Sequence, residues 1–146
     1  MPIYRPAPNS PRAMARAVAL VLVADGVIDD RELEVLDRLD AFRRLGLPRE
    51  AFMATAELEH ARLGDRFADK PWLSLDDIGV LDEALVAVDD PAARRLVCRL
   101  AAGVMTADGT VRDAERLVFE HMLMRWRISR QQVSDSIRAD PQVATA

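Results

Sequence analysis

The sequence predicts an all-α fold, a compact bundle of about seven helices with an internal pseudo-repeat. Three observations lead there. Apolar residues recur at helical spacing along most of the 146 residues. There are few β-branched runs and one tyrosine from which to build strands. One pattern also occurs twice: Ala24-Asp25-Gly26-Val27-Ile28-Asp29-Asp30-Arg31-Glu32 is echoed by Ala107-Asp108-Gly109-Thr110-Val111-Arg112-Asp113-Ala114-Glu115. Each copy lies between an apolar helical run and an amphipathic one, the mark of a duplicated helix, turn and helix.

The first helix is expected from Pro11 to Ala24. Met14, Ala17, Val18, Leu20, Val21, Leu22 and Val23 leave it almost no polar face, so it belongs at the centre. Asp25-Gly26 ends it. Asp29 then reads as an N-cap with Glu32 completing a capping box, and Leu33, Leu36, Leu39 and Phe42 form the stripe of a second helix stopped by Gly46. Pro48 suits the first turn of a third, with Phe52, Leu58 and Leu63 expected to face inward before Gly64.

From Asp65 to Leu73 the chain reads as a connector, and Trp72 is expected to cap the core. Ser74 with Asp77 opens a fourth helix carrying Ile78, Leu81, Leu85 and Val88. Asp90-Pro91 opens the fifth, whose Leu96, Val97, Leu100, Ala101, Val104 and Met105 make it the counterpart of the first. Val118, Phe119, Met122, Leu123 and Trp126 mark the sixth, and Ser129 with Gln132 starts a short last helix near Ile128 to Ala139.

The expected organisation is a Pro-rich arm (1–11), one domain (12–139) with halves about 12–64 and 91–139 joined by a bridging helix about 74–90, and a frayed tail (140–146). Half the residues are apolar, enough for one core. The net charge is −4, and the arginines are interleaved with Asp and Glu instead of forming a stripe. A reader of nucleic acid needs a coherent positive face, so no nucleic-acid partner is expected. No run is long enough for a transmembrane segment, and the lone Cys98 excludes an internal disulfide, so a reducing cytoplasmic setting is expected.

The acidic turns are the candidate site. Gly26 to Glu32 and Gly109 to Glu115 keep the interval from the glycine of an EF-hand loop to its last glutamate. The front of that loop is missing: Val21 and Val23, or Val104 and Thr106, stand where the first oxygen ligands belong. Each turn is therefore at best half a calcium site. If the halves pack together, Asp25, Glu32, Asp108 and Glu115 converge on a divalent cation, with Asp29, Asp30 and Asp113 at the rim. An all-carboxylate set favours Ca²⁺, Mg²⁺ or Mn²⁺. The alternative is metal-free: Asp before Gly suits a turn, and carboxylates at a helix start satisfy its free N–H groups. Arg112 in the capping place makes that account weaker for the second copy.

His60 and His121 have no motif around them and read as solvated or locally paired. Arg125, Arg127 and Arg130 gather about Trp126 as a candidate basic aromatic patch. No nucleophile elbow or glycine-rich phosphate loop is present, which argues against an enzyme.

The paired A-D-G-x-[I/V]-x-D-x-E resembles the TerB family of tellurite-resistance-associated proteins and the related N-terminal domain of the membrane-anchored co-chaperone DjlA, over roughly Pro11 to Ala139, with Arg112 a departure from the small polar or acidic residue usual at that place in the family. The resemblance implies a helical bundle with a pseudo-repeat and metal ligation by Asp25, Glu32, Asp108 and Glu115. It further implies a non-catalytic binding module of bacterial stress or tellurite response, with a protein partner at the inner membrane face. The alternative remains a metal-free helical scaffold for protein–protein contact.

Overall fold

The computed structural model describes residues 6–107 and 109–139. These form eight helices and no strand: α1 (Pro11–Leu22), α2 (Asp30–Arg38), α3 (Ala41–Leu45), α4 (Arg49–Leu63), α5 (Leu75–Leu85), α6 (Pro91–Met105), α7 (Asp113–Trp126) and α8 (Arg130–Arg138). No helix among the described residues is long and apolar enough to cross a membrane.

The centre is α1. Ser10 caps it by accepting from the Ala13 N–H (3.1 Å), and Pro11 starts it with a preset φ. Every residue from Ala15 to Ala24 is buried. Its alanines let α4 and α6 pack closely on it, while α3, α5 and α7 complete the shell. The counterpart α6 begins the same way, with Asp90 accepting from the Ala93 N–H (2.9 Å) ahead of Pro91, and it touches α2, α7 and α8 as well as α1. Residues before α1 are tied to the body: Asn9 donates its backbone N–H to the Ala87 carbonyl (2.7 Å), and its side chain bonds to Asp89 and Asp90.

The sequence suggests about seven helices, and the described residues form eight because one expected helix is divided. The helix expected from Asp29 to Gly46 breaks at Leu39 and Asp40, where Asp40 takes a left-handed conformation (φ 56°). Its two ends have different targets. Leu39 packs on α6 so closely that a Cβ on Gly103 would lie 2.7 Å from its Cδ1, whereas Ala41 and Leu45 bury against α1. One straight helix cannot present both sets. The break also brings Phe42 edge-on to Phe52, with centroids 5.3 Å apart.

Two inward assignments are also corrected. Leu58 is 70 % exposed, because the inner face of α4 runs through Phe52, Thr55, Ala56, Glu59 and Leu63. Glu59 takes an inner position because Arg16 of α1 meets it at 2.7 Å within the bundle. Trp72 does not cap the core; it is 71 % exposed, and the buried aromatic of the connector is Phe67. The connector is instead fastened by Asp77 at the start of α5. Its carboxylate accepts from Lys70 (2.7 Å), Arg66 (3.1 Å) and the Ser74 N–H (3.0 Å), while Ser74 Oγ accepts from the Asp77 N–H. The tail from residue 140 lies outside the described residues.

Candidate functional site

The two acidic turns share the conformation of their glycines. Gly26 and Gly109 follow their apolar helices with φ of 85° and 80°, a conformation in which an L side chain is strained. In the first turn Asp25 Oδ1 accepts from the Val27 N–H (3.1 Å) and Asp29 Oδ1 from the Arg31 N–H (2.8 Å), so Asp29 caps α2. His60 of α4 donates Nε2–H to the Gly26 carbonyl (2.8 Å) and braces this turn from behind. Asp30 is exposed.

Glu32 and Glu115 each sit third in their helix, α2 and α7, and both turn inward. They are 3 % and 1 % exposed, and their carboxyls are close enough to act on each other's charge. Glu32 does not complete the expected capping box. Glu115 does, accepting through Oε1 from the Arg112 N–H (3.3 Å). Glu32 Oε2 and Glu115 Oε2 are buried with no donor from elsewhere in the described protein. A proton shared between the carboxyls, or a cation, is what can satisfy them.

The electrostatics stem from that placement. Burial, then the bond and charge of Glu115, then Asp25 and Asp29, push the Glu32 carboxyl up to about 10. Burial also raises Glu115, to about 7, against the lowering effect of the bonds from Glu32 and the Arg112 N–H. The pair therefore titrates as a unit and retains a proton at neutral pH.

Of the four ligand candidates, Glu32 and Glu115 meet, with Asp25 close enough to act on both through its charge. Asp25 Oδ2 also lies 3.1 Å from Arg112 Nε, an ion pair that joins the two turns. Asp108 lies outside the described residues. Of the rim candidates, Asp29 caps, Asp30 faces solvent, and Asp113 is 85 % exposed at its side chain and bonds Arg116 (2.7 Å). Among the described residues no group of three or more His, Cys, Asp or Glu is placed to hold an ion. The donor set here is thus two glutamates with Asp25 adjacent.

The other candidates are structural. His121 is buried with Nε2 2.7 Å from Asp82 Oδ1. Trp126 is buried under Arg94, whose guanidinium lies 5.6 Å from the ring centroid. Arg125 reaches Asp82 (3.5 Å) and Arg130 pairs with Glu120, so two arginines of the basic patch are spent on local ion pairs. Burial pushes the Cys98 thiol up to about 12, an unreactive state. The link between Asp25 and Arg112 is not visible in the sequence, although Arg112 is conspicuous there as the basic residue in an acidic motif. Comparison of the chain with family models, with curated proteins and with solved structures finds no match.

Proposed function

We propose that this protein is a non-catalytic, TerB-like helical binding module that takes up a divalent cation at its acidic corner, between pseudo-equivalent turns of two repeated halves. The observation that carries the reading is the meeting of Glu32 and Glu115, one from each copy of the motif, buried and with Oε2 atoms that no protein donor satisfies among the described residues. Two hard oxygens in that state suit Ca²⁺, Mg²⁺ or Mn²⁺ in place of the shared proton. Glu32 and Glu115 would hold the ion, with Asp25 as the nearest further carboxylate. The ion would join the start of α2 to the start of α7 and relieve the repulsion between the glutamates. The TerB resemblance extends the proposal to bacterial stress or tellurite response and to a protein partner at the inner membrane face.

The test is melting temperature against added Ca²⁺, Mn²⁺ or Mg²⁺, at several pH values. The expected result is a rise that grows as the pair loses its proton above pH 7, and that disappears in Glu32→Gln with Glu115→Gln. No shift at any pH, or the same shift in the double variant, would falsify the reading.

A second reading, the metal-free scaffold, is favoured by the Arg112–Asp25 pair and by the cap at Asp29. There a guanidinium already bridges the turns and the glutamates keep their proton. It is supported if chelators and cations leave stability unchanged while Arg112→Gln loosens the corner.

A further inference from the structure

A cleft of ≈ 790 Å³ opens between the two turns and the connector. Val27 and Asp29 line it from the first turn, Val111 and Asp113 from the second, and Asp69 and Pro71 from the connector. Neither Glu32 nor Glu115 lines it, so a ligand seated in the cleft needs no cation at the glutamates.

The cleft combines two features. Val27 is 60 % and Val111 39 % exposed, and just outside the lining, next to Pro71, Trp72 is 71 % exposed. An indole left in water is a large unfavourable apolar surface and is the side chain most often found at the energetic centre of protein contacts. Around these groups the charge is acidic. The lining cations are Lys70 and Arg112, and both are engaged: Lys70 Nζ lies 2.7 Å from the buried Asp77, and Arg112 Nε 3.1 Å from Asp25. Asp29, Asp69 and Asp113 remain facing the opening, with Arg116 offsetting Asp113 along the surface of α7.

We propose that this cleft docks a segment of a partner protein in which an apolar side chain is flanked by arginine or lysine. The apolar side chain enters between Val27 and Val111, Trp72 flanks it from beside Pro71, and the basic neighbours meet the aspartates. The acidic opening repels phosphate, which disfavours nucleic acid and anionic lipid as occupants. A second copy of the chain would have to bring its own basic, apolar segment to the same place.

The test is selection of peptides from a random display library on the immobilised full chain, then titration of the synthesised winners by fluorescence anisotropy. Selected peptides should carry Arg or Lys on both sides of an apolar residue. Trp72→Ala should weaken them about tenfold or more. Asp69→Asn with Asp113→Asn should weaken them less and flatten the dependence on salt. Met124→Ala, an exposed hydrophobe at the far end of α7, should change nothing. Circular dichroism confirms that each variant is folded. The proposal is overturned if no peptide is selected, if the winners are acidic, or if Trp72→Ala leaves their affinity intact. It is equally overturned if Trp72 instead mediates self-association in sedimentation or binding to phosphatidylserine vesicles.

Discussion

Asp77 and the Glu32–Glu115 pair are both removed from water, and their carboxyl groups behave in opposite ways. Asp77 resists the effect of burial because Lys70, Ser74 and Arg66 all donate to it, and together they hold it well below the usual carboxylate range. Among the described residues no ion pair reaches Glu32; the charges that act on it, Glu115, Asp25 and Asp29, are all negative, and its carboxyl is driven up. Burial by itself therefore does not decide whether a carboxyl is charged; the donors that share its site do. Asp77 is a finished structural clasp. The glutamate pair has no cation of its own among the described residues and keeps a proton that a bound cation could replace, which makes it the better candidate for a ligand.

The largest expected effect tests the clasp. Asp77→Ala removes three side-chain acceptor bonds and the α5 capping box, and should cost about 2–3 kcal/mol in urea unfolding at neutral pH. Because the folded carboxyl is more acidic than the unfolded one, its contribution is present above the unfolded value of 3.8 and is lost as pH falls into strong acid. Wild type and Asp77→Asn should thus converge in acid.

The glutamate pair should show the reverse dependence. Its folded values lie above the unfolded 4.5, so the folded state keeps protons that the unfolded chain has released, and stability falls as pH rises from 4.5 through 7 towards 10. Glu32→Gln removes one charge and should be more stable than wild type at alkaline pH by about 1–2 kcal/mol, with little difference near pH 4. Thermal melts across pH measure this. A variant profile parallel to that of wild type would erase the contrast between the two sites.

Smaller effects separate the readings of the acidic corner. Asp29→Ala should cost about 1 kcal/mol through loss of the α2 cap, irrespective of added cation. Arg112→Gln breaks a half-exposed ion pair and should cost less than about 1 kcal/mol. If the corner binds a cation, the same change frees Asp25 and tightens binding. If Arg112 is itself the bridging cation, calcium and manganese titrations of the variant stay flat.

Much of the fold is legible in the sequence because it is written locally. Ser74 with Asp77, Ser129 with Gln132, and Asp90 before Pro91 mark helix starts by short-range hydrogen bonds that need no tertiary partner. The near-absence of polar residues between Ala13 and Ala24 likewise announces a central helix. The failures involve choices between neighbours. Leu58 reads as an inner residue, but Glu59 takes the inner position instead, because Arg16, forty-three positions away, meets it there. The break at Asp40 arises because α6 and α1 draw Leu39 and Leu45 in different directions. Trp72 reads as core from its size alone, and Phe67 fills that place.

Local sequence is enough to dictate an all-helical chain, where most of its helices begin, and that two like acidic turns each follow an apolar helix. Packing is needed before Glu32 and Glu115 face each other while Asp25 turns to Arg112, and before Asp77 gains cations where Glu32, among the described residues, gains none. Helix starts depend on contacts a few residues apart, whereas the protonation of a buried carboxyl depends on which distant groups the packing brings within a few ångströms of it.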